Sequence, residues 1–197
     1  MENVVERVIN KFGVIAVILV VISLFLPWWE MYISARWTVQ EVTVVQRVNI
    51  WVYPYRVTTK NYPVQAIPLN VLIFGLFSLC FLIGSLVLGI AGSFHSVRKK
   101  EMLISSSILI LFSVITFIVG LHYELKIMAA SSLLFTTGYG CRLVPCPEID
   151  LFSTGFFIHE DTSINYSTYL SIGFWLAIIA AIINFVALKK QPLESEG

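Results

Sequence analysis

Charge is what this 197-residue chain has least of, with 13% of its residues Asp, Glu, Lys or Arg against about 25% in soluble domains. The few charges nearly cancel, 13 basic against 12 acidic, and no block of one sign occurs. That leaves no electrostatic footprint for a nucleic acid, and no nucleic-acid partner is expected. Cysteine is scarce as well. Three cysteines exclude a disulfide-rich scaffold and a four-thiolate metal site. There is no C-x-x-C pair of the kind membrane thiol oxidoreductases use, and no nucleophile-elbow, zinc-protease or phosphate-loop pattern. Accordingly no catalytic residue, cofactor or metal is expected, and the chain is read as non-enzymatic.

Apolar side chains are abundant. The sequence is 57% hydrophobic, with a mean hydropathy of +0.84. Four runs, at about 12–28, 69–93, 102–122 and 168–188, approach or exceed the roughly 20 apolar residues a membrane-crossing helix needs. The first is longer than the roughly 7–15 apolar residues of a secretory signal and lacks a small-residue cleavage site, so it is read as retained. Pro27, Trp28 and Trp29 follow it, and both tryptophans are expected as interfacial anchors, since tryptophan concentrates where lipid meets water.

Orientation follows from the basic residues. Arg7 and Lys11 precede the first run, Arg98, Lys99 and Lys100 separate the second from the third, and Lys189 and Lys190 end the fourth. Four crossings place all three segments on one side, so seven of the 13 basic residues fall within about thirty positions there. The positive-inside rule makes that side cytoplasmic, with both termini on it, in the cell membrane.

Two segments, about 30–68 and 123–167, then lie outside. The first contains WTVQEVTVVQRVNIWVYPYRVTT, Trp37 to Thr59. Its valine, threonine, tyrosine and tryptophan favour strands, and Pro54, Pro63 and Pro68 suggest edges or turns. The alternation is imperfect, so the reading is a small antiparallel sheet of undefined facing, with Trp37 and Trp51 packing it. In the second segment CRLVPC places Cys141 and Cys146 four residues apart. In an oxidising compartment they are expected to form a local disulfide, with two free thiols as the alternative. The apolar stretch Phe152 to Ile158 is expected to pack on the sheet or, alternatively, to form a partner-binding patch carried by Phe152, Phe156, Phe157 and Ile158. Glu124, Glu148, Asp150, Glu160 and Asp161 read as solvated loop charge rather than a cation site. Asn165-Tyr166-Ser167 has the form of a glycosylation sequon, yet its closeness to the fourth run makes chance occurrence the simpler reading.

Within the runs no Asp, Glu, Lys or Arg occurs, so the charges that mark ion pathways and proton relays are missing and transport is not expected. Asn184 is the most polar side chain there, and Cys80 reads as a small buried apolar group. Small residues recur every four positions, Ser85, Gly89 and Ser93 in the second run and Gly173, Ala177 and Ala181 in the fourth. Such stripes let helix backbones approach closely in lipid. Packing within one bundle is the expectation, with dimerisation as the alternative.

Four runs, cytoplasmic ends, a β-rich first outer segment and a short basic inner loop together resemble the claudin and peripheral-myelin-protein superfamily. At residue level the likeness is the exit of the first run, Leu26-Pro27-Trp28-Trp29-Glu30-Met31-Tyr32-Ile33-Ser34, similar to the proline-then-tryptophan exit that claudins carry before their extracellular sheet. Claudins also carry G-L-W and a cysteine pair in that segment. This chain has no cysteine there, so that disulfide is not carried over. The resemblance implies a membrane all-α four-helix bundle with a small extracellular antiparallel β-sheet, and a role in adhesion or barrier assembly. The expected partners are membrane lipid and other membrane or envelope proteins or further copies of the chain. The alternative is an accessory subunit of a membrane enzyme complex that packs laterally through the small-residue stripes.

Overall fold

A computed structural model of the chain describes residues 9–39, 42–60, 69–94, 99–130, 150–159 and 162–189. Cys141 and Cys146, with Glu148, Glu160 and Asp161, lie outside the described residues, as do the side chains of Trp37, Phe157 and Ile158.

The described residues form four helices and one five-stranded sheet, in the order α1 (Lys11–Phe25), β1 (Trp29–Val39), β2 (Val42–Val52), β3 (Val57–Lys60), α2 (Leu69–Phe94), α3 (Lys99–Ala130), β4 (Ser153–His159), β5 (Thr162–Leu170) and α4 (Ile172–Lys189). The Asn10 side chain caps α1 by accepting from the Gly13 N–H at 3.1 Å, satisfying one of the donors a first turn leaves unpaired. The helix ends at Phe25, three residues before the expected boundary. Leu26 precedes Pro27 and is extended, at φ −105° and ψ 150°, as the ring of a following proline requires.

The helices close a ring in which α2 packs on α3, α3 on α4, α4 on α1 and α1 on α2. Hydroxyls line its inside. Ser78 and Ser113 donate to each other's carbonyls at 3.1 and 2.8 Å, and Ser106 donates to the Ser85 carbonyl at 2.8 Å. The Asn184 amide reaches the Ser106 hydroxyl at 3.2 Å, so α2, α3 and α4 share one polar seam. Ser23, Ser78, Ser85, Ser93, Ser106, Ser107, Ser113 and Asn184 are all buried, while Ile18, Phe25, Leu76, Phe77, Val87, Phe112, Ile115, Val119, Ile182 and Phe185 are exposed. The bundle is apolar outside and hydroxyl-rich inside. By length and composition α2 and α3 can each cross a membrane, and α1 and α4 are shorter apolar helices.

Every strand pairing is antiparallel, in the order β3-β2-β1-β5-β4. The sheet therefore draws on both segments between helices and not on the first alone. Phe152 to Ile158 runs into the sheet as its edge strand β4 instead of packing on it. At its helix end Trp29 pairs with Val52 on one side and Leu170 on the other. Thr168 to Leu170, expected in the fourth helix, are strand. Tyr123 to Ala130, expected outside the third, continue α3 for two more turns. At roughly 1.5 Å per residue its 32 residues are about twice the length of α1. Trp29, Met31 and Ile33, with Val48, Ile50, Val52, Ile164 and Leu170, turn one face of the sheet inward, and one hydrophobic cluster joins them to Ala16, Leu82, Phe117, Leu121 and Phe174 of the helices.

Candidate interaction surface on the sheet

The collar between bundle and sheet is fixed by two tryptophans. Trp28 is fully buried. Its ring meets Phe117 and Phe174 edge-on, at 5.1 and 5.9 Å between centroids, and its indole N–H donates to the Ser23 carbonyl at 2.9 Å. Trp29, 2% exposed, donates from its indole to the Leu151 carbonyl at 3.2 Å. Expected as anchors in a lipid interface, both rings are instead sunk in protein. A bulky ring with one polar handle gains most where its body is packed and its N–H finds a carbonyl. Around Trp28 the backbone is stitched across the collar: its N–H donates to the Val52 carbonyl at 2.8 Å, its own carbonyl accepts from Ser171 at 2.9 Å, and Gly173 donates to the Pro27 carbonyl at 3.0 Å. Gly173 is required by this approach, since a Cβ there would stand 2.7 Å from the carbonyl oxygens of Leu26 and Pro27.

One polar cluster sits at the start of β4. The buried Thr168 hydroxyl donates to the Asp150 carbonyl at 2.7 Å and accepts from the Ser153 N–H at 2.8 Å. The Asp150 carboxylate accepts from the Leu151 N–H at 2.7 Å and lies 3.0 Å from the His122 ring nitrogen of α3. The Leu151 N–H, with the nearby His122, holds that carboxyl below the usual range of about 3.8. A second cluster closes the other side of the collar. There the Glu30 carboxylate accepts from the Tyr169 hydroxyl at 2.9 Å and from the Ser171 hydroxyl, and the bond to Glu30 raises the Tyr169 phenol above its usual value.

Strand alternation then sets the open face. Tyr32, Ser34 and Arg36 of β1 share it with Ser163, Asn165, Ser167 and Tyr169 of β5 and with Thr154 and Phe156 of β4. Phe152 and Phe156 are each 60% exposed and Tyr32 37%. A groove of about 440 Å³ lies here, lined by Tyr32, Thr154, Gly155, Phe156, Asn165, Tyr166 and Ser167. On the inward face the Tyr166 ring, packed against the core, lies where a Cβ on Gly155 would be. At the opposite edge the Arg56 guanidinium stacks on Tyr53 and Tyr55, at 4.7 and 5.3 Å from their centroids.

Both small-residue stripes are consumed inside the chain. Ser85, Ser93, Ala177 and Ala181 are buried. A Cβ on Gly89 would meet Val17 at 2.9 Å and Ser106 at 3.2 Å. Cys80, expected to be buried, is exposed on the outer surface of α2. Glu124, expected as solvated loop charge, is fully buried in the extension of α3, and neither carboxylate oxygen has a hydrogen-bond partner among the described residues. Among the described residues no group of three or more His, Cys, Asp or Glu is placed to hold a metal.

Sequence reasoning missed the Thr168 pin, the Glu30–Tyr169–Ser171 collar and both strands of the second segment. The signal for the strands is present in FSTGFFIHEDTSINYSTYL, two β-rich stretches separated by the polar sequence His159-Glu160-Asp161-Thr162. No protein-family model and no curated protein matches the chain.

Proposed function

We propose that the chain is a four-span cell-membrane protein with both termini in the cytoplasm, and that its sheet forms a non-enzymatic outer module that contacts another membrane or envelope protein or a second copy of itself. The observation that carries the reading is the reversed distribution of polarity. All four helices expose Ile, Leu, Val and Phe while serine hydroxyls are buried between them. In water that arrangement forfeits the hydrophobic effect, whereas in lipid it suits these buried serines, each of which donates to a helix carbonyl. The shorter α1 and α4 run directly into β1 and β5, so the collar with Trp28 and Trp29 lies at the outer boundary of the hydrocarbon.

For contact, the reading rests on β4, an edge strand with Phe152 and Phe156 exposed beside it. Main-chain donors and acceptors at a sheet edge, flanked by aromatic anchors, offer a partner both pairing and burial. The layout is similar to that of claudins in its crossings and its sheet, and that likeness suggests adhesion or assembly. A laterally packed accessory subunit is less favoured, because the stripes that would have served it are buried within the chain.

An impermeant amine-reactive reagent applied to intact cells is expected to modify Lys60 of β3 and to spare Lys100, with the sites mapped by mass spectrometry. Modification of Lys100 alone would reverse the orientation. Mass measurement in mild detergent is expected to return self-assembled copies or a complex with a non-catalytic partner. A stoichiometric membrane enzyme complex would overturn the reading.

A further inference from the structure

We propose that Asn165 is an N-glycosylation site, and that the first sugar of the attached glycan lies in the groove between Phe156 and Tyr32 on the open face of the sheet. The inference rests on the outward placement of the sheet proposed above. Asparagine is an unfavourable choice for the middle of an inner strand. Here it stands at the centre of β5, between Ser34 of β1 and Phe156 of β4 in the register. Its side chain is exposed, makes no hydrogen bond to another described residue, and borders the groove of about 440 Å³.

Three features fit the modification. Asn165 and Ser167, the acceptor and the hydroxyl two residues on, share one face because side chains alternate along a strand, so the sequon presents both groups together. The residues between Asn165 and the end of β5 are extended, at roughly 3.3 Å each. Asn165 therefore stands about 17 Å beyond the collar, which removes the objection that it lies against the fourth helix. The groove carries small polar side chains (Thr154, Ser167) between the aromatic rings of Tyr32 and Phe156, a surface suited to a sugar ring with one apolar face and hydroxyls at its edge.

The transfer needs a host transferase and a lipid-phosphate-linked oligosaccharide as donor. A bond forms between the Asn165 amide nitrogen and the anomeric carbon, and the bond from that carbon to the carrier phosphate breaks. The electron pair leaves on the phosphate, and one amide proton passes to the transferase's base. Once attached, the glycan covers Phe156, so the protein contact proposed above narrows to Phe152 and the β4 edge.

Mass spectrometry of the peptide containing Asn165, from protein purified from its own cells, is expected to show an excess of at least one sugar residue. Asn165→Gln and Ser167→Ala are expected to abolish the excess and Ser167→Thr to retain it, with all three variants folded. An unmodified peptide in cells where the impermeant reagent reaches Lys60 would overturn the glycan and leave the topology standing. An unmodified peptide together with an unreactive Lys60 and a reactive Lys100 would overturn both. An excess that survives Ser167→Ala would assign the mass to other chemistry and also overturn the proposal.

Discussion

Trp28 carries more of the collar than any other single side chain, because its ring, its indole N–H and both its backbone groups are all engaged. Trp28→Ala should cost about 3–5 kcal/mol, the range for deleting a buried aromatic ring. Trp28→Phe keeps most of the ring and should cost less, roughly 1–2 kcal/mol, largely for the unpaired Ser23 carbonyl. Thermal unfolding in detergent orders the two, and equal losses would show that the ring's volume contributes nothing. Asp150 gives a dependence on pH. Its carboxyl is held below the ordinary value of about 3.8, so its contribution is fully present above that value and is lost as pH falls through the depressed one. The gap in melting temperature between wild type and Asp150→Asn should therefore be constant near neutrality and close in acid. A buried carboxyl without a described partner is costly, so Glu124→Met should raise the melting temperature, and a fall would reveal a partner for the carboxylate.

At the scale of elements, the α2–α3 pair is held by a repeat of seven. Ser78 faces Ser113 and Ser85 faces Ser106, the spacing of an antiparallel left-handed seam. Hydrogen bonds between helices in lipid are worth about 0.6 kcal/mol on average, so a double-mutant cycle on Ser78→Ala and Ser113→Ala should return a coupling of that order. Gly89→Leu should be far worse, since its Cβ alone would crowd Val17 and Ser106, and overpacking costs about 1–3 kcal/mol or more. Loss of folded protein from membranes is the readout, and an undisturbed Gly89→Leu variant would mean that α1 does not lie against α2 there.

The four helices were legible because run length and missing charge are properties of contiguous sequence. Strand character in Val42 to Val52 was legible for the same reason. Facing and partners were not. β1 lies between β2, its sequence neighbour, and β5, which follows two helices later, and a pairing closed over that distance leaves no local periodicity. Helix ends were misjudged where an apolar count was used in place of backbone rules: α1 stops where Pro27 excludes the helical region for Leu26, and α4 starts only after Leu170 has paired with Trp29.

For the whole molecule, two kinds of surface meet at one collar, an apolar exterior around the helices and a mixed polar face on the sheet. That four runs would be helices, that Val42 to Val52 would be strand, and that the helices would be unusually apolar, followed from the sequence by itself, because transfer energies and backbone preferences add residue by residue. Tertiary structure alone decided where each polar group went. It sank Trp28 and Trp29 into protein, matched Ser78 to Ser113, gave the small-residue stripes to neighbouring helices, and stood Asn165 on an open face with Phe156 beside it. Those outcomes depend on which distant segments come into contact, and the cost of burying a polar group is set by the partner it finds there.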